Sequence, residues 1–122
     1  MDGGLFLVPV QINGVLTVDF AIDSGASDVS VPADVFSTLK RTGAITDPDV
    51  IGQRTYVLAD GSKSQAATFT IRSLKIGSVV IENVRASVTP DQGSLLLGQS
   101  FLKRFKSWSI DNVNGELLLE TR

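Results

Sequence analysis

The chain has 122 residues, 43% of them apolar and 20% charged, and a net charge of −2, which allows one domain with one modest core. It contains no Cys and no His, so disulfides, thiolate nucleophiles, imidazole metal ligands and the Ser-His-Asp arrangement are excluded. Any catalysis must rest on carboxylates, on a Ser-Lys pair or on the single Tyr56.

Leu5 to Ile12 is an apolar run that predicts a strand buried on both faces, and Asn13-Gly14 after it is a strong hairpin turn. Leu16, Val18, Phe20 and Ile22 then alternate with Thr17, Asp19 and Ala21, as a half-buried strand does. There the pattern breaks into Asp23-Ser24-Gly25-Ala26-Ser27. Val29 and Val31 predict a short strand, and Pro32 stands at a natural first helical position for "PADVFSTLK", a helix of about two turns. Thr42 to Gln53, with Gly43, Asp47-Pro48 and Gly52, reads as an irregular connection. The run "RTYVLADGSKSQAATFTI" predicts a hairpin turning at Asp60-Gly61, its second strand continuing through Ile76. Gly77-Ser78 turns into "VVIENVRASV", a strand with apolar residues at Val79, Ile81, Val84, Ala86 and Val88. "SLLLGQSFLKRF" predicts a buried strand entering a short helix, where the late Lys103, Arg104 and Lys106 complement the negative helix end. "SWSIDNVNGELLLE" closes the chain as a hairpin turning at Asn114-Gly115.

The expected architecture is a single domain over residues 1–122, all-β in class with one or two short helices. Acids and bases are interspersed, so no basic surface for nucleic acid is expected. No run approaches the roughly 18 apolar residues of a membrane span, and no signal peptide is visible. Membrane contact by this segment is therefore not expected. Met1-Asp2-Gly3-Gly4 also fits the start of an expressed fragment, which leaves an upstream anchor, and the compartment, open.

Asp-Ser/Thr-Gly alone is weak evidence, since a chain of this length contains one by chance about one time in twenty. Context sharpens it. An apolar strand delivers Asp23, and the small residues after it permit another backbone to approach closely. Much later, Leu95-Leu96-Leu97-Gly98 is a second apolar strand that ends in Gly and enters a helix.

Strand, Asp-Ser-Gly-Ala, hairpin, apolar-apolar-Gly and helix follow one another as in the lobes of aspartic proteases. The stretches "FAIDSGASDVSVPADV", "YVLADGS" and "LLLGQSFLKRFKSWSIDNVNGELLL" make the chain resemble the single-lobe, retropepsin-like aspartic proteases of bacterial and cellular type, over about residues 5 to 120. The resemblance implies a closed or partly open β-barrel of the acid-protease type, with Asp23 as the catalytic residue in a loop of Ser24, Gly25, Ala26 and Ser27. Ser27 would bond the outer oxygen of the carboxylate. It implies a substrate-binding flap at Val57, Leu58, Ala59, Asp60 and Gly61, a peptide or protein substrate, and no metal or cofactor. Ser24 departs from the more usual Thr, keeping the hydroxyl and losing the packing methyl.

Aspartic endopeptidase chemistry needs two carboxylates sharing one proton. At about 3 Å and an effective dielectric near 20 their repulsion is roughly 5 kcal/mol, about four pKa units, so that one stays protonated where the other ionises. No second Asp-Ser/Thr-Gly exists in the chain: Asp60-Gly61-Ser62 has the wrong order and Asp91-Gln92-Gly93 lacks the hydroxyl. Half a site per chain implies a homodimer. Asp19, on the polar face of its strand, and Asp28, read as solvated, are left outside the site. Two alternatives stand beside the protease: a catalytically silent dimerisation or peptide-binding module of the same fold, and a Ser-Lys hydrolase on Ser62 or Ser64 with Lys63. Adjacent strand residues point to opposite faces, which places that last pair poorly.

Overall fold

The computed structural model of the chain describes residues 6–57, 60–90 and 94–122, with the backbone alone for Arg54, Tyr56 and Ser64. The first hairpin forms where alternation and turn chemistry agree. Strand β1 (Leu7–Ile12) pairs antiparallel with β2 (Leu16–Ile22), with Ile12 opposite Leu16. Between them Asn13 and Gly14 take φ of 51° and 70°, the left-handed turn that suits the twist of a hairpin. The expectation that β1 is buried on both faces is corrected: Val8, Val10 and Ile12 are buried, whereas Leu7 and Pro9 are exposed. An antiparallel strand covered on one side shows this alternation.

Strand β3 (Val29–Pro32) leads into α1 (Ala33–Arg41). Pro32 is the N-cap, with ψ of 153°, one position earlier than expected. Its ring still sits where no backbone N–H is needed. Leu39 of α1 is buried, and Phe36 packs on Phe69 with ring centroids 4.9 Å apart. The following connection is more ordered than its Gly and Pro content suggests. A 3₁₀ turn at Asp47–Asp49 carries a reciprocal cap with Thr46, and strand β4 begins at Val50.

Strands β4 (Val50–Val57) and β5 (Lys63–Ile76) form the long hairpin, and β6 (Val79–Thr89) returns along β5. Inward residues on β5 are Phe69 and Ile71, then Leu74 and Ile76; on β6 they are Val79 and Ile81, then Val84 and Ala86. Both strands shift parity at the same level, where Asn83 has a φ of 57°. The register is kept, and one hairpin thereby serves two parts of the core.

Strand β7 (Leu96–Leu97) precedes α2 (Gln99–Leu102), a single turn, and β8 (Phe105–Asp111) and β9 (Glu116–Thr121) form a separate two-stranded sheet. The basic cluster is not helical, as had been expected. The helix ends at Leu102 because Phe101 and Leu102 are buried and the chain turns there, Arg104 N–H donating to Phe101 C=O. Arg104 caps the Glu82 and Asn83 carbonyls, and Lys106 lies 3.3 Å from Glu120 on the outer sheet.

The seven-stranded sheet runs β1-β2-β7-β3-β6-β5-β4, and a two-residue pairing of β1 with β5 closes it into a ring. The class is all-β, as expected. Its short strand decides where the site lies. β7 pairs parallel with β2 (Ala21 with Leu96, Ile22 with Leu97) and antiparallel with β3 (Ser30 with Leu96). The segment between β2 and β3 therefore cannot be a hairpin; it must arch across the end of β7.

Candidate active site

Residues 23–28 make that arch. Asp23 N–H donates to Leu97 C=O at 3.1 Å, so the Asp leaves β2 still tied to the buried β7. The loop then tightens on itself. Ala26 N–H reaches Asp23 C=O at 3.2 Å, and Gly25 N–H donates to Asp23 Oδ1 at 2.9 Å. A Cβ on residue 25 would stand 3.2 Å from that oxygen, tighter than ordinary contact. Asp23 is half-buried, and Ser24, Gly25 and Ser27 are exposed around it.

The start of α2 holds the arch from behind. Gln99 N–H donates to Ala26 C=O and Ser100 N–H to Ser27 C=O, both at 2.8 Å, while Gln99 Nε2 donates to Ser24 C=O at 2.8 Å. Three carbonyls of one exposed loop are thus satisfied by two successive residues, which fixes it without regular structure. Gly98 makes the approach possible: a Cβ there would lie 2.6 Å from Ala26 O and closer still to Asp28 O. Ser100 Oγ accepts from Val29 N–H at 2.9 Å and donates to Arg85 C=O at 2.8 Å, joining loop, helix and β6. Ser27 is held through its carbonyl, and among the described residues its hydroxyl makes no bond to Asp23.

Asp28 is not solvated, contrary to expectation. It is 2% exposed; its Oδ1 accepts from Arg85 Nε at 3.1 Å and its Oδ2 from the Ser87 hydroxyl at 2.8 Å. A buried carboxylate persists only with such partners, and these are 57 and 59 residues away in sequence. The one local signal was parity. Val29 and Val31 face the core, so Asp28 and Ser30 share the opposite face of a strand that has neighbours on both sides.

That opposite face opens on a cavity of ≈ 360 Å³. The loop contributes Ala26, Ser27 and Asp28, β3 Ser30, the end of β6 Ser87 to Thr89 with Pro90 after it, and the long hairpin Val57 and Ala66. Apolar walls over a few placed polar groups are the usual make-up of a binding cleft. Val57, expected in the flap, borders this cavity and is otherwise 71% exposed. Asp60 and Gly61 lie at the exposed hairpin tip, where Asp60 Oδ1 accepts the Ser62 N–H at 2.9 Å and the Ser62 hydroxyl at 2.6 Å. The Ser62 hydroxyl holds the Asp60 carboxyl below its ordinary value of 3.8, and keeps company with that acid rather than with Lys63. Leu58 and Ala59 lie outside the described residues. Among the described residues no cluster of three metal-ligating side chains occurs, and no helix is long and apolar enough to cross a membrane.

Sequence reasoning missed Arg85, Ser87, Gln99 and Ser100. Each acts on the loop across a long sequence separation, and no local periodicity marks it.

The family model described as "gag-polyprotein putative aspartyl protease" matches residues 8–104. Among solved structures, a retropepsin-like aspartic protease from Rickettsia conorii is 29% identical, with a TM-score of 0.71. The alignment covers 98% of this chain and 83% of that one. No curated protein matches.

Proposed function

The chain belongs to the gag-polyprotein aspartyl protease family, and from that membership we propose that it is an aspartic endopeptidase whose active site is assembled from the Asp23 loops of two copies. One observation carries the proposal: a single, half-buried Asp23 on a clamped loop, next to a cavity that the β4–β5 hairpin borders. One carboxylate cannot be general base and general acid in the same step. A two-fold dimer brings two together without any second motif in the chain.

In this mechanism the pair shares one proton, for the electrostatic reason given above. The ionised carboxylate takes a proton from water as the water oxygen attacks the peptide carbonyl carbon. The protonated partner donates its proton to the carbonyl oxygen. Collapse of the tetrahedral species breaks the C–N bond as the nitrogen takes up the proton held by the first carboxylate, while the partner carboxylate takes a proton back from a hydroxyl of that species, so that the pair again holds one proton. Gly25 N–H holds one oxygen of each Asp23 in place. The Ser24 hydroxyl braces the two loops across the axis, and Gly25 lets them approach. The hairpin carrying Val57 closes over substrate and excludes water. The open edge of β9, which among the described residues pairs with β8 alone, supplies a dimer contact.

Asp23→Asn tests this. The amide is nearly isosteric but can neither act as base nor share the proton. Cleavage of a mixed-peptide library between about pH 3 and 7 is expected to vanish while the melting transition stays in place; cleavage at the parent rate would remove the mechanism. Specific activity of the parent is expected to fall on dilution below the dimer dissociation constant. Activity unchanged over about a hundredfold dilution of a protein that is monomeric throughout would defeat the shared site. A parent protein that dimerises and binds peptides without cleaving them would be the silent module.

A further inference from the structure

Gln99 has no role in the proposed chemistry, yet its side chain reaches the peptide unit whose N–H donates to the Asp23 carboxylate. The Ser24–Gly25 peptide is a rigid plane. Its carbonyl accepts from Gln99 Nε2 at 2.8 Å, and its N–H donates to Asp23 Oδ1 at 2.9 Å. Gln99 therefore grips one end of a plane whose other end grips Asp23.

We propose that Gln99 is a positioning residue for Asp23, acting through the Ser24–Gly25 peptide; the catalytic part of this inference rests on the function proposed above. Two effects follow from the geometry. Rotation of the peptide plane, which would swing the N–H away from Oδ1, breaks the Gln99 bond. A donor on the carbonyl also polarises the amide, so the two hydrogen bonds in series strengthen each other. Backbone contacts alone do not supply this restraint. Those from residues 99 and 100 go to the carbonyls of Ala26 and Ser27, downstream of the plane. The side chain is the contact from α2 that reaches the plane itself.

Gln99 is partly exposed at the start of α2, and its backbone N–H makes the Ala26 contact whatever side chain it carries. Gln99→Met keeps length and loses the donor. Gln99→Arg restores a planar N–H donor. In the full chain, Gln99→Met is expected to lower kcat about ten- to a hundredfold with KM and the dimer dissociation constant unchanged. Gln99→Arg is expected to recover most of that loss. The Gly25 amide proton, followed by NMR, is expected to move upfield and exchange faster in Gln99→Met than in the parent, and to return in Gln99→Arg. This readout needs no turnover. A parent without peptidase activity would sink the proposed function, while the Gly25 signal would still decide whether Gln99 holds the plane. A Gly25 signal unmoved by Gln99→Met overturns the proposal. So does parental kcat in Gln99→Met, a loss of kcat matched by equal changes in KM or dimer affinity, or a Gln99→Arg that recovers nothing.

Discussion

Asp28 and Asp49 lie in different parts of the molecule, and each is a buried carboxylate gripped by a half-exposed arginine. Asp28 is 2% exposed and Asp49 6%; their partners Arg85 and Arg72 have side chains 52% and 51% exposed. Arginine Nε meets Oδ1 at 3.1 Å in the first pair and 2.9 Å in the second. They differ in the second oxygen. Asp49 Oδ2 accepts the N–H and the hydroxyl of Thr46, three residues away, and Arg72 also donates to Ala44 C=O, so that pair seals a local turn between α1 and β4. Asp28 Oδ2 accepts from Ser87 on a distant strand, and the carbonyl of Arg85 receives Ser100 of α2. One pair closes a turn. The other ties the Asp23 loop to the strand and helix behind it and borders the cavity. The same ion-pair chemistry thus closes a local turn in one place and borders a cavity in the other.

The largest test attacks the site side alone. Gly98→Ala drives a Cβ into the Ala26 and Asp28 carbonyls, and because both are backbone atoms the clash cannot be relieved by a rotamer change. A loss of about 3 kcal/mol of stability is expected, with peptidase activity lost and the Asp49 turn intact. Denaturant titration, with NMR shifts around Thr46, checks it. A stable and active Gly98→Ala would mean that the loop does not depend on its close packing over β7.

Removing each carboxylate in turn sharpens the contrast. Asp28→Ala and Asp49→Ala are each expected to cost about 1–3 kcal/mol: both strand hydrogen-bond donors, and the freed arginines are exposed enough to regain water. Per folded molecule, Asp28→Ala should lose about tenfold or more in kcat, and Asp49→Ala nothing. Equal losses of kcat in the two variants would erase the distinction between them.

The Asp49 turn should also respond to pH. Burial alone would push the Asp49 carboxyl up, but the Thr46 backbone N–H, the Arg72 guanidinium and the Thr46 hydroxyl outweigh it and hold the carboxyl below 3.8. A depressed folded-state value adds stability that is present above the unfolded value and lost as pH falls through the folded one. The parent should accordingly lose more stability than Asp49→Asn as pH is lowered from above 3.8 to below it. Parallel stability curves for the two proteins would show that the turn does not sense acid.

Much was legible in the chain itself. The half-buried alternation ending at Ile22, followed at once by Asp23-Ser24-Gly25, located the loop, and Asn13-Gly14, Asp60-Gly61 and Asn114-Gly115 located three hairpin turns, because backbone periodicity and turn conformation are set by neighbours in sequence. The absence of a second Asp-Ser/Thr-Gly was likewise plain from the sequence. Tertiary structure alone decided the rest. Leu7 is exposed although it belongs to an apolar run, and α2 stops after a single turn when Phe101 and Leu102 reach the core. Asp28 is buried because Arg85 and Ser87 arrive from β6, and Gln99 reaches Ser24 across 75 residues. Whether a charge or an amide is solvated or gripped depends on which groups the folded chain brings within hydrogen-bond distance, and residues so far apart leave no periodic mark on the sequence between them.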